Sequence, residues 1–389
     1  MRLKQHRLLA AALAAGLALV ACGTAEDVGD ETADPELEDS DETADAAQED
    51  ETTTVEDLPD ISFATTTAHC CPVGFAHYTS IPISQGFWAD EGLDLDQIDA
   101  YPGSAAGLQA LDVGRIDVSI QATSAVFPAI AEDLDITSYY STITRNFLIP
   151  TVPEDSSIET VSDMAGKTIG VAGLESGAVP MVRAMVAMEG HDPDELEFLD
   201  IGTGAEALAA VQAERVDVLA LWDVPHAIIE SMGQPLRQVS NETFDNLGFS
   251  QGLAVRASDL EQPEMRAAFV ALARGIAKGQ VFVDENPEAA VRIHWEMYPD
   301  SRPSGVDETE AMEDAVLQLR TRGENMAPID GIHGNATDEQ VENMMEALLA
   351  GGVLEARVEP TMAFTDALLA EINDFDEEEI RAQAREASS

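Results

Sequence analysis

The chain has 389 residues, 45% of them hydrophobic, which is long enough to bury the core of a two-lobed domain. Its 74 acidic and 20 basic residues give a net charge of −54. An acidic surface of this size repels nucleic acids and anionic lipids and argues against both as binding partners. Because high salt screens self-repulsion, we interpret the charge as adaptation to a saline habitat.

The N-terminus has the pattern of an export signal. Three basic residues precede an apolar run over residues 8–20, which is too short to span a bilayer comfortably. Residues 19–23, Leu-Val-Ala-Cys-Gly, resemble the lipobox of bacterial lipoproteins. The resemblance implies a signal peptide over residues 1–22 and a lipid on Cys22 that anchors the protein to the outer face of the cell membrane. The alternative is an ordinary signal peptide with a chance cysteine.

An acidic segment follows the predicted signal peptide. Residues 23–60 contain 17 Asp and Glu, no Lys or Arg and no aromatic residue. Such a segment buries too little apolar surface to offset the entropy lost on ordering, so it is predicted to be a disordered linker. A coil of this length reaches on the order of 35 Å, which holds a folded head clear of the membrane.

The rest of the chain alternates strand and helix patterns. Strands are predicted at 61–65, 93–96, 116–120 and 166–171, and helices at 76–88, 103–114 and 178–189. This alternation is typical of α/β layers with a mainly parallel sheet. Further helices are predicted at 259–283, 285–296, 307–320, 337–350 and 360–372, and the acidic end from residue 374 is expected to fray.

One pattern occurs twice, at a spacing of one hundred residues. A glycine-rich turn opens an Ala/Leu-rich helix, which leads into a strand through Arg115-Ile-Asp-Val in the first copy and Arg215-Val-Asp-Val in the second. Any two strand–helix units look somewhat alike. The constant offset nevertheless favours two related lobes.

Several motifs together resemble a known family. Residues 82–95 contain Pro-x-x-Gln-Gly-Phe-Trp-x-x-Glu-Gly-Leu-x-Leu, residues 111–118 contain Leu-x-x-Gly-Arg-Ile-Asp-Val, and residues 221–225 read Leu-Trp-Asp-Val-Pro. With Asn-Pro-Glu-Ala-Ala at 286–290, they resemble the solute-binding proteins for nitrate, sulfonates, taurine and thiamine-pyrimidine precursors.

The resemblance implies a two-lobed α/β fold of the type II periplasmic-binding-protein class, with extra C-terminal helices. Lobe 1 is expected to comprise residues 61–150 and 251–389, and lobe 2 residues 151–250, with crossings near 147–152 and 250–255. Hinge bending would close the lobes on a small molecule. The closed form would then deliver it to an ABC permease and its ATPase. A monomer is expected.

The first candidate ligand-binding corner is the loop at 69–78. Ligands of open α/β sheets bind beyond the carboxyl ends of strands, where helix N-termini expose unpaired N–H groups. This loop follows the first strand and contains His69, Phe75, His77 and Tyr78, which are predicted to contact the ligand. The alternative is that each is a structural side chain.

Two further corners lie at predicted helix starts. Thr123 and Ser124 follow the 116–120 strand, and Ser176 and Gly177 precede the first helix of lobe 2. Hydroxyl and amide groups at such positions bind carboxylate, sulfonate or ring oxygens. The same residues also serve as ordinary helix caps.

Trp222 and Asp223 occupy the family's cleft position in lobe 2. The indole offers a flat wall, and the carboxylate is predicted to accept hydrogen bonds from a ligand amine or ring N–H. Arg145 is a candidate charge for an anion. A core tryptophan and a surface arginine are the alternatives. Because the corners hold no concentrated basic set, we expect an aromatic or heteroaromatic ligand that is neutral or zwitterionic.

The adjacent Cys70 and Cys71 leave three interpretations open. Their Cα spacing of about 3.8 Å is below the usual disulfide range, so a vicinal disulfide would be strained. Two reduced thiols are the second interpretation. A metal site with His69 and His77 is the third, since thiolate and imidazole suit zinc or copper. No metal and no cofactor is predicted.

An enzyme is the main alternative to a binding protein. Some eukaryotic thiamine-pyrimidine synthases share the implied fold and carry a pyridoxal cofactor on a lysine. Lys167 lies in a turn and Lys278 in a surface-like helix, so neither is placed to form a Schiff base in a cleft. A metal-binding surface lipoprotein and a surface adhesin are the remaining alternatives, and the prediction is a binding protein without catalysis.

Overall fold

The computed structural model describes residues 58–66 and 71–387. The strands are β1 (Phe63–Thr65), β2 (Asp99–Ala100), β3 (Val118–Ala122), β4 (Ile136–Ile143), β5 (Thr151–Pro153), β6 (Thr168–Val171), β7 (Glu197–Asp200), β8 (Val218–Ala220), β9 (Leu236–Gln238) and β10 (Gln251–Arg256). The helices are α1 (Ser80–Ser84), α2 (Ser104–Asp112), α3 (Thr123–Ala131), α4 (Ala178–Met188), α5 (Ala205–Gln212), α6 (Asp223–Ser231), α7 (Glu242–Asp245), α8 (Pro263–Glu285), α9 (Pro287–Met297), α10 (Glu308–Met326), α11 (Asp338–Ala350), α12 (Pro360–Ala363), α13 (Leu369–Ile372) and α14 (Glu377–Glu386).

The strands form two five-stranded sheets, one in each lobe. The sheet of lobe 1 has the order β2-β1-β3-β10-β4, and that of lobe 2 the order β7-β6-β8-β5-β9. In lobe 1, β1 is parallel to β2 and β3, whereas β10 is antiparallel to its neighbours. In lobe 2, β6 is parallel to β7 and β8, whereas β5 is antiparallel to its neighbours. The predicted α/β fold with two mainly parallel sheets and extra C-terminal helices is confirmed.

The chain passes between the lobes twice. The first crossing lies between β4 and β5, at residues 144–150, and the second between β9 and β10, at residues 239–250. The sequence placed the crossings near 147–152 and 250–255. The second expectation was too late, because β10 already pairs with both β3 and β4 inside the sheet of lobe 1.

The hundred-residue repeat corresponds to one backbone frame in both lobes. Helix α3 begins and ends one hundred residues before α6, and β3 starts one hundred residues before β8. The carboxylate of Asp117 accepts a hydrogen bond from the backbone N–H of Ser62 (2.9 Å), and that of Asp217 accepts one from Thr168 N–H (2.8 Å). The repeated aspartate therefore secures the start of a neighbouring strand.

Helix α8 packs unusually close to the segment that follows β1. A Cβ added to Gly275 would lie 2.2 Å from Cδ1 of Trp88, and one added to Gly279 would lie 2.1 Å from the carbonyl oxygen of His77. Trp88 Nε1 also donates a hydrogen bond to the carbonyl of Leu272 at 3.0 Å. The two glycines allow this contact, which holds the turn at Val73–Tyr78 in place.

The C-terminal helices contact both lobes. Helix α10 packs against the Val73–Tyr78 turn of lobe 1 and against α6 of lobe 2, while α11 packs against α4 of lobe 2. A Cβ on Gly351, just after α11, would lie 2.7 Å from Cβ of Ala184 in α4. The C-terminal helices therefore contact both lobes and do not belong to one lobe alone.

The acidic end of the chain is ordered, contrary to the expectation that it frays. Asp376 caps α14, and Ile380 is buried on its inner face. Arg381 and Arg385 both pair with Glu285 at the end of α8. Two cations on one carboxylate offset the acidic composition that suggested fraying.

The predicted signal peptide, Cys22 and residues 23–57 of the acidic linker lie outside the described residues. Within residues 58–66 and 71–387, no helix has both the length and the apolar composition needed to cross a membrane.

Candidate functional site

A cavity of about 200 Å³ lies between the two lobes. Lobe 1 contributes the lining residues Thr65, Thr66, Phe75, Tyr78, Gly103, Ser104, Ile120 and Ala122. Lobe 2, the segments near the crossings and the C-terminal helices contribute Phe147, Leu148, Glu175, Ser176, Gly177, Trp222, Gln251 and Arg322. Both lobes, the segments near the crossings and helix α10 therefore contribute to this cavity.

The cavity forms where strands end and helices begin. β1 ends at Thr65 and β3 at Ala122, both in the lining. Helix α2 starts after Gly103, whose φ of 87° favours glycine, and α4 starts after Gly177. The first N–H groups of a helix have no partner within it, so the start of α2 offers hydrogen-bond donors at this cavity. At the start of α4, Ser176 already accepts hydrogen bonds from the N–H groups of Ala178 and Val179.

Five predicted site residues line the cavity: Phe75, Tyr78, Ser176, Gly177 and Trp222. Phe75 and Tyr78 lie on the same short turn, with ring centroids 4.9 Å apart. The structure thus brings together aromatic side chains of lobe 1 with an indole and a helix start of lobe 2.

Three other predicted residues are buried beside the cavity without lining it. The ring of His77 packs edge-on against Tyr78, with centroids 4.3 Å apart. Thr123 Oγ1 donates a hydrogen bond to the carbonyl of Phe249 and so contacts the second crossing. Ser124 Oγ lies 3.2 Å from the position that a Cβ on Gly177 would occupy. These side chains support the walls of the cavity.

Arg145 does not join this arrangement. Arg145 is exposed and lies beside Asp245 and Gln340 in a separate cavity, so it supplies no charge to the cleft. Its position follows from the first crossing, where it is the exposed residue between two buried ones. His69 lies outside the described residues.

Asp223 has a different role from the one expected of it. Its carboxylate accepts hydrogen bonds from Arg322 Nη2 at 2.8 Å, Asn325 Nδ2 at 2.9 Å and the backbone N–H of Val224 at 2.8 Å. Burial raises the pKa of Asp223, while Arg322, Asn325 and the backbone N–H of Val224 oppose the shift. The carboxylate is therefore engaged by the protein and is not a free acceptor for a ligand amine.

Arg322 is the cavity residue that sequence reasoning missed. Its side chain is 2% exposed, pairs with Asp223 and places Cζ 5.2 Å from the centroid of the Phe147 ring. A signal existed in the helical spacing of α10. Its buried residues are Ala311, Ala315, Leu319, Arg322 and Met326, so the arginine falls on the apolar stripe of an otherwise acidic helix.

Charge at the inner wall is set by burial and by Arg322. Burial raises the pKa of the Tyr78 hydroxyl well above its usual value, which keeps it protonated as a hydrogen-bond donor. Burial, followed by the nearby Arg322 and His294, lowers the pKa of His77 well below 6.5. His77 is therefore neutral near pH 7, and Arg322 carries the positive charge behind the cavity.

A second cavity of about 490 Å³ lies behind the first, between α6, α10 and the crossings. Asp223 and Asn325 line it, Arg322 lines the cleft cavity, and Phe147 lines both. The Arg322–Asp223 pair and Phe147 therefore lie between the two spaces. The smaller cavity lies at the ends of β1 and β3, where ligands of open α/β sheets bind, so it is the candidate ligand site.

Cys71 lies away from the cleft. It is disulfide-bonded, is 1% exposed and lines a separate surface cavity with Tyr298. Its carbonyl oxygen lies 2.8 Å from Nε2 of His294. Cys70 lies outside the described residues, so the vicinal disulfide stays a prediction. The described residues contain no group of three or more His, Cys, Asp or Glu placed to hold a metal ion.

The two sheets, the two crossings and a cavity between strand ends define the class of two-lobed periplasmic-binding-protein folds. Within this class, the chain belongs to the NMT1/THI5-like family, whose model matches residues 81–290.

Solved structures share this fold at low sequence identity. A Bordetella bronchiseptica RB50 protein is 18% identical with a TM-score of 0.60, covering 81% of this chain and 97% of its own. The alkanesulfonate-binding protein SsuA from Xanthomonas axonopodis pv. citri, bound to MOPS, is 16% identical with a TM-score of 0.54 and covers 79% and 99%. The periplasmic nitrate-binding protein NrtA from Synechocystis PCC 6803 is 12% identical with a TM-score of 0.55 and covers 85% and 99%. No curated protein matches the sequence.

Proposed function

We propose that this protein is the extracytoplasmic solute-binding component of an ABC importer, anchored by a lipid on Cys22. It captures a small organic metabolite and delivers it to a permease driven by an ATPase. The observation that carries the proposal is the cavity between the lobes, lined by strand ends, helix starts and aromatic side chains from both lobes. Small-molecule sites are typically concave, largely apolar and lined by a few polar groups.

The comparisons support transport more than catalysis. Two structures that share the fold are named for the binding of alkanesulfonates and nitrate. Their identities of 16% and 12% do not carry a ligand over to this chain. They do agree with a cleft that binds a solute between two lobes.

The lobes meet closely around the cavity, as ligand capture by hinge closure requires. Gly177 of lobe 2 approaches Ser124 of lobe 1, and a Cβ on Gly74 of lobe 1 would lie 3.6 Å from Cγ2 of Val224 in lobe 2. Both contacts must separate for a solute to enter. We propose that the described conformation is the closed form and that an open form is related to it by hinge motion at the crossings.

An enzyme related to thiamine-pyrimidine synthases is the second candidate, suggested by the family. The two lysines among the described residues disfavour it. Lys278 Nζ pairs with Glu91 at 2.5 Å, and Lys167 precedes β6, whose opposite end lies toward the cleft. Neither lines the cavity. A Schiff base between pyridoxal phosphate and the purified protein, visible in its absorption spectrum, would reverse this preference.

The test is a thermal-shift screen of the full-length chain in detergent at about 2 M salt, which screens its charge. The panel contains pyrimidines, alkanesulfonates, nitrate, amino acids, polyamines and neutral heterocycles. A ligand at 100 times its dissociation constant is expected to stabilise the fold by about 2.7 kcal/mol. Small-angle scattering should show a more compact protein with the hit than without it. A folded protein that responds to no compound would contradict the proposal.

A further inference from the structure

Two buried polar groups at the cavity have no partner in the protein. The Tyr78 hydroxyl and Arg322 Nε are both buried and make no hydrogen bond with any described residue. Both side chains line the cavity and are almost fully buried, Tyr78 at 0% and Arg322 at 2% exposure. Buried polar groups are normally paired, so two unpaired groups at one wall indicate a missing acceptor.

The missing partner is an acceptor because both groups are donors. Arg322 uses Nη2 for Asp223, and Nη1 also makes no hydrogen bond with a described residue. The Tyr78 hydroxyl stays protonated because burial raises its pKa. Asp223 accepts hydrogen bonds from Arg322, Asn325 and the backbone N–H of Val224, and it accepts none from the Tyr78 hydroxyl.

The remaining polar groups of the lining are mostly donors too. The start of α2 supplies backbone N–H groups next to Ser104. Gln251 accepts at Oε1 from Thr142, and its amide nitrogen is a further donor in the lining. The carboxylate of the lining is Glu175, which is exposed, whereas Tyr78 and Arg322 are buried.

The apolar lining is largely aromatic. Phe75 comes from lobe 1, Phe147 from the first crossing and Trp222 from lobe 2. A cavity of about 200 Å³ is below the usual range for drug-sized ligands, so its occupant is small. Aromatic walls favour a flat ring, because ring faces and edges attract one another beyond simple burial.

We propose that the cavity binds a small aromatic carboxylate, with its carboxylate oxygens on Tyr78 and Arg322 and its ring among Phe75, Phe147 and Trp222. This inference rests on the proposed solute-binding function and replaces the expected neutral or zwitterionic ligand with a monoanion. The difference arises from Arg322, which the sequence did not place at the cleft. Because Arg322 pairs with Asp223 of lobe 2, the carboxylate binds at the junction that closure forms.

The first test compares acids with their amides. Benzoate and nicotinate are titrated into the full-length chain by calorimetry in parallel with benzamide and nicotinamide. Hydrogen bonds to a charged group are stronger than those to a neutral one, so each acid should bind at least about tenfold more tightly than its amide. Amides that bind equally well, or acids that do not bind, would overturn the inference. A response to a neutral or cationic compound in the broader screen would still leave the proposed function standing.

The second test removes one donor without disturbing the fold. Tyr78→Phe deletes a hydroxyl with no protein partner, so the melting temperature should not fall, while affinity for benzoate should fall about tenfold or more. Tyr139→Phe is the matched control, because Tyr139 donates to the carbonyl of Phe269 outside the cavity. It should lower the melting temperature and leave affinity unchanged. Unaltered affinity in Tyr78→Phe would contradict the inference.

The arginine is tested with its partner. Arg322→Gln alone leaves Asp223 buried without its cation, so the variant to compare is Arg322→Gln with Asp223→Asn, which removes both charges and keeps a polar side chain at each position. This pair should remove the preference for benzoate over benzamide. A preference that persists in the folded double variant would show that Arg322 does not recognise the carboxylate.

Discussion

The corner between β3 and α3 in lobe 1 and the corner between β8 and α6 in lobe 2 share a backbone frame and differ in their chemistry. Asp117 and Asp217 make the same hydrogen bond at the start of each unit. At the carboxyl end of β3, the polar side chains of the lobe 1 corner form hydrogen bonds with other groups of the protein. Gln121 donates to Ser119, and Thr123 donates to the carbonyl of Phe249.

The corner of lobe 2 turns its side chains outward. Trp222 forms a wall of the cavity, and Asp223 pairs with Arg322 of α10. The aspartates that bond to the backbone, Asp117 and Asp217, are thus the same in both lobes. The residues at the carboxyl ends of β3 and β8 differ. The lobe 1 corner supports the wall of the cleft, and the lobe 2 corner pairs with Arg322 of α10.

The largest expected effect comes from breaking the ion pair of the lobe 2 corner. Arg322→Ala leaves Asp223 buried and uncompensated, so the free energy of unfolding should fall by about 3–5 kcal/mol in denaturant titration. Arg256→Ala is the control in lobe 1, because Arg256 and Asp117 are more exposed, at 18% and 25%. Arg256→Ala should lower the free energy of unfolding by clearly less than Arg322→Ala. Equal losses would mean that the two corners do not differ in this respect.

Acid should affect the lobe 2 corner next most strongly. Burial lowers the pKa of His226 to about 4, against about 6.5 for an unfolded chain. The unfolded state then binds more protons, so stability from neutral His226 is complete above about pH 6.5 and is lost as the pH falls toward 4. At pH 5 the loss should be about 2 kcal/mol.

A substitution from lobe 1 checks the origin of this pH dependence. Val126 occupies the position of His226 in the repeat. His226→Val should reduce the dependence of unfolding free energy on pH between about 5 and 7, although His77 and His294, whose pKa values burial also lowers, retain their share. An unchanged slope would exclude His226 as a source.

Two substitutions should separate support from binding. Thr123→Val removes a buried hydrogen bond and should lower the free energy of unfolding by about 1–2 kcal/mol without changing ligand affinity. Trp222→Ala, at a half-buried wall, should weaken binding about tenfold or more with a smaller loss of stability. Denaturant titration and calorimetry on both variants measure the two effects. The reverse pattern would invalidate the contrast between the corners.

The smallest effect concerns the contact between lobes. Gly177→Ala would place a Cβ 3.2 Å from Ser124 Oγ, so closure should be slightly impaired and affinity should fall a few-fold while the melting temperature stays nearly constant. Ser124→Ala in the same chain removes the crowding atom and should restore affinity. Failure of this rescue would indicate that the glycine acts through backbone conformation.

Local sequence patterns were sufficient to predict much of the fold and part of the candidate site. The strand and helix alternation, the hundred-residue repeat and the glycine turns indicated two α/β lobes. The expectation that strand ends converge brought Phe75, Tyr78, Ser176, Gly177 and Trp222 to one cavity. These residues are close to their strands in sequence, so topology alone positions them.

The roles of polar side chains were less predictable. Thr123 and Asp223 both begin helices in equivalent positions, yet Thr123 bonds to the carbonyl of Phe249 in the second crossing and Asp223 pairs with Arg322 of α10. Arg145 looked suitable by type, but the first crossing exposes it. Which partner a polar group finds depends on long-range packing that periodicity does not record.

The sequence by itself determined the export signal pattern, the acidic character, the two-lobed α/β architecture and the corners at which a ligand is expected, because these depend on composition and on patterns local in the chain. Only the tertiary structure decided the charge of the cleft. Helix α10 packs against both lobes and carries Arg322 into a wall otherwise without a cation, where burial strengthens its electrostatic influence. A contact between segments a hundred residues apart depends on how the helices pack, and no local pattern specifies it.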